Sequence, residues 1–145
     1  MADFVVTITN KGRQLEAQQL LYGYGFKISH FVLGSGGHDP GDPLVPLSLD
    51  LNALTLPQQF FGPKLIDVAT MISTTCPQFT CIAQAGEAVG GISNLGLLAT
   101  IISVPAGSPT TAPAVHSQFL YAMTNFPLRT KTAFSKETFN VFIRS

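Results

Sequence analysis

The stretch LGLLATIISV, residues 95–104, is almost continuously apolar and decides the fold class of this chain. A run of this kind predicts a buried strand at the centre of a sheet. Gly96, Thr100 and Ser103 interrupt it, and its length is about half of the ~20 residues that a helix needs to cross a bilayer. The stretch therefore predicts a central strand and no membrane span.

Shorter stretches on both sides of this strand alternate between apolar and polar residues or are rich in β-branched residues, which predicts further strands. They are FVVTITN (4–10), FKISHFVLG (26–34), LIDVATMIST (65–74), QFTCIAQA (78–85), QFLYAMTNFPL (118–128) and TFNVFIRS (138–145). EAVGGISN, residues 87–94, predicts a glycine turn before the central strand.

One segment has the period of a helix, about Lys11 to Tyr22. Four residues fall on one face of it at positions i, i+3, i+4 and i+7. They are Ala17, Leu20, Leu21 and Tyr24. Asn10 can cap the start of this helix, and Gly23 or Gly25 can end it in a left-handed turn.

The segments Ser35–Pro57 and Pro105–Val115 are rich in Pro and lack a period, which predicts long loops. There is no internal repeat and no linker long enough to divide the chain. We therefore expect residues 1–145 to form a single domain that is mainly β. The expected architecture is an antiparallel, two-layer, β-sandwich-like domain with one N-terminal α-helix and long Pro/Gly-rich loops.

The chain carries unusually little charge. Eight basic residues balance eight acidic residues, and charged residues make up 11% of the chain, against about 25% in an ordinary soluble domain. Nucleic-acid binding needs clustered Lys and Arg, so this composition argues against it. Weak charge also gives little repulsion between molecules. We expect partner chains to cover much of the surface.

The N-terminal sequence and the two cysteines bear on the compartment in which the chain folds. MADFVV at the N-terminus lacks the basic and apolar regions of a secretory signal, so synthesis and folding in the cytoplasm are expected. Cys76 and Cys81 are then expected to be free, half-buried strand residues. A bridge between them would require the chain to turn at Pro77.

GSGGHDPGDP, residues 34–43, is the stretch that most resembles a ligand site. No lysine follows the glycines as in a phosphate-binding loop, and their spacing fits neither a dinucleotide fingerprint nor an EF-hand. An irregular calcium site at Asp39 and Asp42 stays open. The favoured interpretation is a stiff turn, because Asp-Pro pairs form turns.

Other residues with catalytic or metal-binding potential are scattered. His30, His38 and His116 have no partner spacing, and the two cysteines do not form the pair of a zinc ribbon. No sharp nucleophile turn of the type G-x-S-x-G is present. We therefore expect no catalytic residue, no cofactor and no metal.

Four stretches in order along the chain are similar to the tail-collar fibre family of tailed bacteriophages. They are ITNKGRQLEAQ (8–18), FVLGSGG (31–37), EAVGGISNLGLLATI (87–101) and FLYAMTNFPLRTKT (119–132). The resemblance covers nearly the whole chain, and it implies the N-terminal module by which tail fibres attach. Asn94 stands where the family tends to carry a glutamate, which puts any charge-mediated contact there in doubt.

The resemblance implies a non-enzymatic virion protein, made in the host cytoplasm and placed in the tail or baseplate. The fibre shaft of the family does not follow Ser145, so the expected role is an adaptor that attaches or connects tail fibres to the baseplate. Expected partners are other tail or baseplate proteins and the fibre, in a homo- or hetero-oligomer without nucleic acid or membrane. The alternative is a receptor- or carbohydrate-binding module of the tail tip, and a small metal-dependent hydrolase is a third possibility.

The expected partner interface lies in the loop Ser35–Pro57. Its apolar side chains would anchor a neighbouring protein, because permanent interfaces bury apolar surface. The anchors are Leu44, Val45, Leu47, Leu49, Leu51, Leu54 and Leu56. The alternative is that these side chains fold back onto their own sheet.

Overall fold

The structure, a computed structural model, describes residues 2–143 and confirms a mainly β domain with one helix. Met1, Arg144 and Ser145, which the expected domain and last strand include, lie outside the described residues. The elements are β1 (Ala2–Ile8), α1 (Asn10–Tyr22), β2 (Gly25–Gly34), β3 (His38–Asp39), β4 (Asp42–Pro46), β5 (Gln59–Leu65), β6 (Val68–Met71), β7 (Pro77–Ala83), β8 (Gly90–Ser103), β9 (Gln118–Lys131) and β10 (Glu137–Ile143).

Eight strands form one curled sheet in the order β5-β2-β8-β9-β1-β10-β7-β6. The predicted central strand, β8, lies between β2 and β9, and Leu95, Leu97 and Ile101 on it are fully buried. The two halves of the sheet face each other across one core. Phe126 of β9 and Phe139 of β10 meet in that core with ring centroids 6.3 Å apart.

Two bent segments join the halves of the sheet. The first part of β1 pairs with β10 in parallel, and Thr7 and Ile8 pair with β9 in antiparallel fashion. The sheet was expected to be antiparallel, so the parallel pairing of β1 with β10 is an exception. The second bent segment runs from β5 to β6, where Ile66 N–H donates to Ser29 O and Asp67 N–H donates to Thr80 O, both at 3.0 Å. These hydrogen bonds bring the two ends of the sheet order together.

The boundaries of α1 follow local chemistry. Thr9, one residue before the predicted cap Asn10, accepts a hydrogen bond on Oγ1 from Gly12 N–H at 3.0 Å. Gly23 ends the helix at φ 78°, as one of the two predicted stops, and its N–H donates to Gln19 O at 2.9 Å. A left-handed residue after a helix is a position that favours glycine.

The prediction of which helix face is buried was wrong in its main part. Leu20 is 89% exposed and Leu21 72% exposed, whereas Gly12 and Leu15 are the buried residues of α1. The first half of the helix sets the docking, because Gly12 lets the helix backbone approach Tyr121 on β9. Of the four residues on the expected face, the buried one is Tyr24, which follows the helix.

One strand, one turn and one loop prediction were also corrected. The segment 65–74 is not one strand, because the chain crosses between the sheet halves at residues 66–67, and β5 begins earlier at Gln59. The glycine turn lies at residues 84–88, and Gly90–Asn94 belong to β8. The loop Ser35–Pro57 contains the hairpin β3–β4, because Pro40 and Gly41 supply a two-residue turn between short strands.

The two cysteines are free, as expected. The chain does not turn at Pro77, which begins β7. At about 3.3 Å per residue, the extended residues from Pro77 to Cys81 span ~13 Å, beyond the ~7 Å that a disulfide can bridge. Cys81 is fully buried, and burial raises the pKa of its thiol, whereas Cys76 is half-buried.

We therefore expect a thiol reagent to label the native protein at Cys76 and not at Cys81. Thiolate is the reactive form, and Cys81 is neither accessible nor readily ionised. Mass spectrometry after labelling in buffer should find one modified cysteine per chain, and two after labelling in guanidinium chloride. Equal labelling of both cysteines in buffer would contradict the position of β7 in the core.

Candidate interaction surface

The seven predicted anchor residues lie in the segment that crosses the outer face of the sheet, and the structure separates them. Leu44 and Leu54 are 74% and 71% exposed, and Val45 and Leu47 are also exposed. Leu49 and Leu51 are half-buried. We refer to the four exposed residues, Leu44, Val45, Leu47 and Leu54, as the leucine surface.

Leu56 is not available as an anchor, which corrects the prediction for that residue. It is 3% exposed and packs with Val32, Leu120 and Met123 on the outer face of the sheet. Leu49 packs against the same cluster. Near Leu56 the apolar side chains therefore fold back onto their own sheet, which was the alternative prediction. They do so because the outer face of the sheet is apolar and would otherwise be exposed to water.

The hairpin β3–β4 projects part of the leucine surface on a stiff turn. Asp39 Oδ1 accepts a hydrogen bond from Gly41 N–H at 2.8 Å, and Asp42 Oδ1 accepts one from Leu44 N–H at 3.2 Å. Both aspartates thus stabilise the turn, which supports the turn interpretation of GSGGHDPGDP. Among residues 2–143, no three or more His, Cys, Asp or Glu side chains lie together as a possible metal site.

The base of the hairpin is fixed to β8 through Ser93. Gly37 N–H donates to Ser93 Oγ at 2.8 Å, and His38 Nδ1 lies 2.8 Å from the same oxygen. Ser93 is fully buried, and its hydroxyl oxygen thus holds both the backbone and the side chain at the hairpin base.

Two asparagines hold the segment 47–57, which covers the outer face of the sheet, at its two ends. Asn94 of β8 and Asn125 of β9 are directly opposite each other in the sheet. Asn94 Nδ2 donates to Pro57 O at 3.0 Å, and Asn125 Nδ2 donates to Leu47 O at 2.9 Å. A glutamate at position 94 would have no side-chain N–H to donate to Pro57 O.

Two recesses flank the hairpin base and share Ser35 and His38. One, of about 360 Å³, is lined by Ser35, His38, Phe60, Val89, Gly91 and Leu128. The other, of about 410 Å³, is lined by Ser35, Gly36, His38, Pro40, Leu47 and Gln58. The only ionisable side chain in either lining is His38, so these recesses favour neutral groups.

The charged groups lie elsewhere. Lys64 Nζ forms an ion pair with Glu87 Oε1 at 2.7 Å, and this hydrogen bond together with the Gln84 N–H lowers the pKa of Glu87. Arg129 pairs with Glu137 at 2.8 Å. Residues 40–57 contain Asp42 and Asp50 and no cation. The leucine surface is thus apolar and slightly acidic.

The residues that could carry chemistry are dispersed or used by the fold. His30 Nδ1 lies 2.7 Å from Ser29 Oγ within β2, and His116 is exposed in the segment before β9. Ser93, Asn94 and Asn125 position the surface, a role that was not predicted from the sequence. The signal for it is weak, because it depends on which residues of β8 and β9 are opposite each other.

Comparison with protein-family models, curated proteins and solved structures finds no match for the chain. Within residues 2–143, no helix has both the length and the apolar character required to cross a membrane.

Proposed function

We propose that this protein is a non-enzymatic structural component of a phage tail or baseplate, where it attaches or connects tail fibres. The single observation that supports this role most is the leucine surface. It consists of exposed apolar side chains within residues 44–57, and the backbone of this segment is held to the sheet at Leu47 by Asn125 and at Pro57 by Asn94.

A fixed apolar surface suits permanent association better than transient contact. A segment whose backbone is already held in place loses little backbone conformational entropy on binding. The cores of permanent interfaces are apolar and depleted of charged residues, as this surface is. Four stretches of the chain resemble tail-collar fibre proteins in the same order. This resemblance indicates the place of association, the junction between fibre and baseplate.

We expect charge on the leucine surface to prevent assembly without unfolding the chain. The double variant Leu44→Asp/Leu54→Asp should fail to restore infectious particles to a virus that lacks this protein, with a loss of at least ~100-fold in titre, because burying two unpaired carboxylates at an interface costs several kcal/mol. The readout is the titre and the amount of fibre protein in purified particles.

The matched control is Gln14→Asp/Thr130→Asp, which makes the same charge change at exposed positions on α1 and β9. It should restore titre to within a few fold of the unmodified protein. If the leucine variant restores titre equally well, the leucine surface is not the attachment site.

One observation favours the alternative, a receptor- or carbohydrate-binding module. The 360 Å³ recess holds the half-exposed ring of Phe60 beside His38 and Ser35, and sugars are bound by an aromatic face with nearby polar groups. A glycan array with the purified protein tests this function. Specific binding that is lost in Phe60→Ala would establish it, and absence of binding leaves the adaptor role as the proposal.

A further inference from the structure

Phe134 is the most exposed large apolar side chain in the described residues, at 95%. It lies in the loop 132–136 between β9 and β10. Thr132 Oγ1 donates to Ser135 Oγ at 3.1 Å, and Ser135 Oγ lies 3.3 Å from Thr132 O. These contacts close the loop around Phe134, so its ring is presented to solvent on a defined turn.

An apolar recess of about 420 Å³ lies on the hairpin of β6 and β7. Its lining residues are Ala69, Thr70, Met71, Pro77 and Phe79. Its volume exceeds the roughly 150 Å³ that accommodates a benzene ring in a protein core. The whole stretch 68–86 contains no Asp, Glu, Lys, Arg or His, so nothing in it repels the loop that carries Phe134 and its neighbour Lys136.

The exposed ring and the recess lie at opposite ends of the same part of the sheet. Glu137, the first residue of β10, pairs with Ala83, so the loop with Phe134 lies at the Ala83 end of β7. Met71 pairs with Pro77, so the recess lies at the other end. Phe79, the lining residue nearest to that loop, lies four strand residues from Ala83, which is ~13 Å at about 3.3 Å per residue. Phe134 is 95% exposed and so does not occupy the recess of its own chain.

We propose that Phe134 of one copy inserts into the recess of a second copy, so that identical chains associate head to tail. Such a contact uses two different surfaces of the same molecule, and each added copy leaves one ring and one recess free. Repetition of the contact gives a ring if its rotation closes and a filament if it does not. This inference does not depend on the proposed place in a virus tail.

The contact alone is small. A buried Phe side chain contributes about 150–250 Å², whereas each side of a stable interface contributes about 800 Å². We therefore expect association of the purified protein to be weak and to increase with concentration, and to become strong only where a ring closes or another protein supports it.

Sedimentation velocity of the purified full chain, from low micromolar to millimolar concentration, tests the proposal. The average mass of the unmodified protein should rise with concentration. Phe134→Ala and Met71→Lys should each weaken self-association by roughly tenfold to a hundredfold, the effect of losing one buried aromatic contact. Both positions are exposed, so circular dichroism should be unchanged. Thr74→Lys, at an exposed position in the same hairpin loop, should associate like the unmodified protein.

Mixing the two variants distinguishes head-to-tail contact from other modes. Phe134→Ala retains the recess and Met71→Lys retains the ring, so an equal mixture should form dimers that cannot grow. The proposal is overturned if the unmodified protein stays monomeric over the whole range, if either variant associates as the unmodified protein does, or if the mixture stays monomeric.

Discussion

Phe139→Ala is expected to lower the free energy of unfolding by about 3–5 kcal/mol, the range for removing a large buried aromatic side chain. Phe139 is fully buried on β10. Its ring centroid lies 5.7 Å from that of Phe4 and 6.3 Å from that of Phe126. These three rings come from β10, β1 and β9, so the substitution removes part of the shared core that joins the two halves of the sheet.

Phe134→Ala is the matched control, because it makes the same chemical change at a side chain that is 95% exposed. It should change the free energy of unfolding by no more than about 0.5 kcal/mol. Both variants are to be measured by denaturant unfolding at low protein concentration, where self-association is absent. If Phe139→Ala is as mild as Phe134→Ala, the two halves of the sheet do not share this core.

Gly12→Ala is expected to destabilise the protein by about 1–3 kcal/mol, the cost of overpacking a tight contact. In an exposed helix the same change would stabilise by about 1 kcal/mol, since alanine is the better helix former. Here an added Cβ would overlap Tyr121 O and lie 2.8 Å from Ile8 Cγ2. Neither group can move without shifting β9 or β1, so α1 must move away from the sheet.

Gly41→Ala controls for the general effect of replacing glycine. Its added Cβ would have Asp39 Oδ1 at 3.5 Å as its near neighbour, an ordinary contact, and its φ is not in the left-handed region. The expected change is within about 0.5 kcal/mol. Stabilisation by Gly12→Ala in thermal or denaturant unfolding would show that α1 does not dock on Tyr121 as described.

The parts of the fold that depend on local chemistry could be predicted from the sequence. The apolar run at residues 95–104 identified the central strand, because only a strand covered on both faces needs to be apolar at nearly every position. Gly23 identified the end of the helix, because a left-handed residue is needed there.

The parts that depend on distant contacts could not be predicted. The apolar positions of α1 near Leu20 indicated a buried face, but the close approach of Gly12 to β9 decides which face docks. The parallel pairing of β1 with β10 joins residues from the two ends of the chain, and no local pattern encodes it.

The sequence identified the segment that carries the candidate surface, but not which of its side chains are exposed. The sequence identified the apolar segment, but it could not separate the exposed Leu44 and Leu54 from the buried Leu56. Leu56 is buried because it packs on Val32, Leu120 and Met123 of distant strands. Asn94 and Asn125 hold the neighbouring backbone from β8 and β9. A leucine-rich segment without a period gives no signal for which side chains face inward.

The proposed role as a tail or baseplate component is tested most directly by quantitative mass spectrometry of purified virus particles, with isolated tails measured alongside. We expect this chain to be present in particles, concentrated in the tail fraction, at a small and fixed copy number. A chain that is made in infected cells but is absent from particles would contradict it.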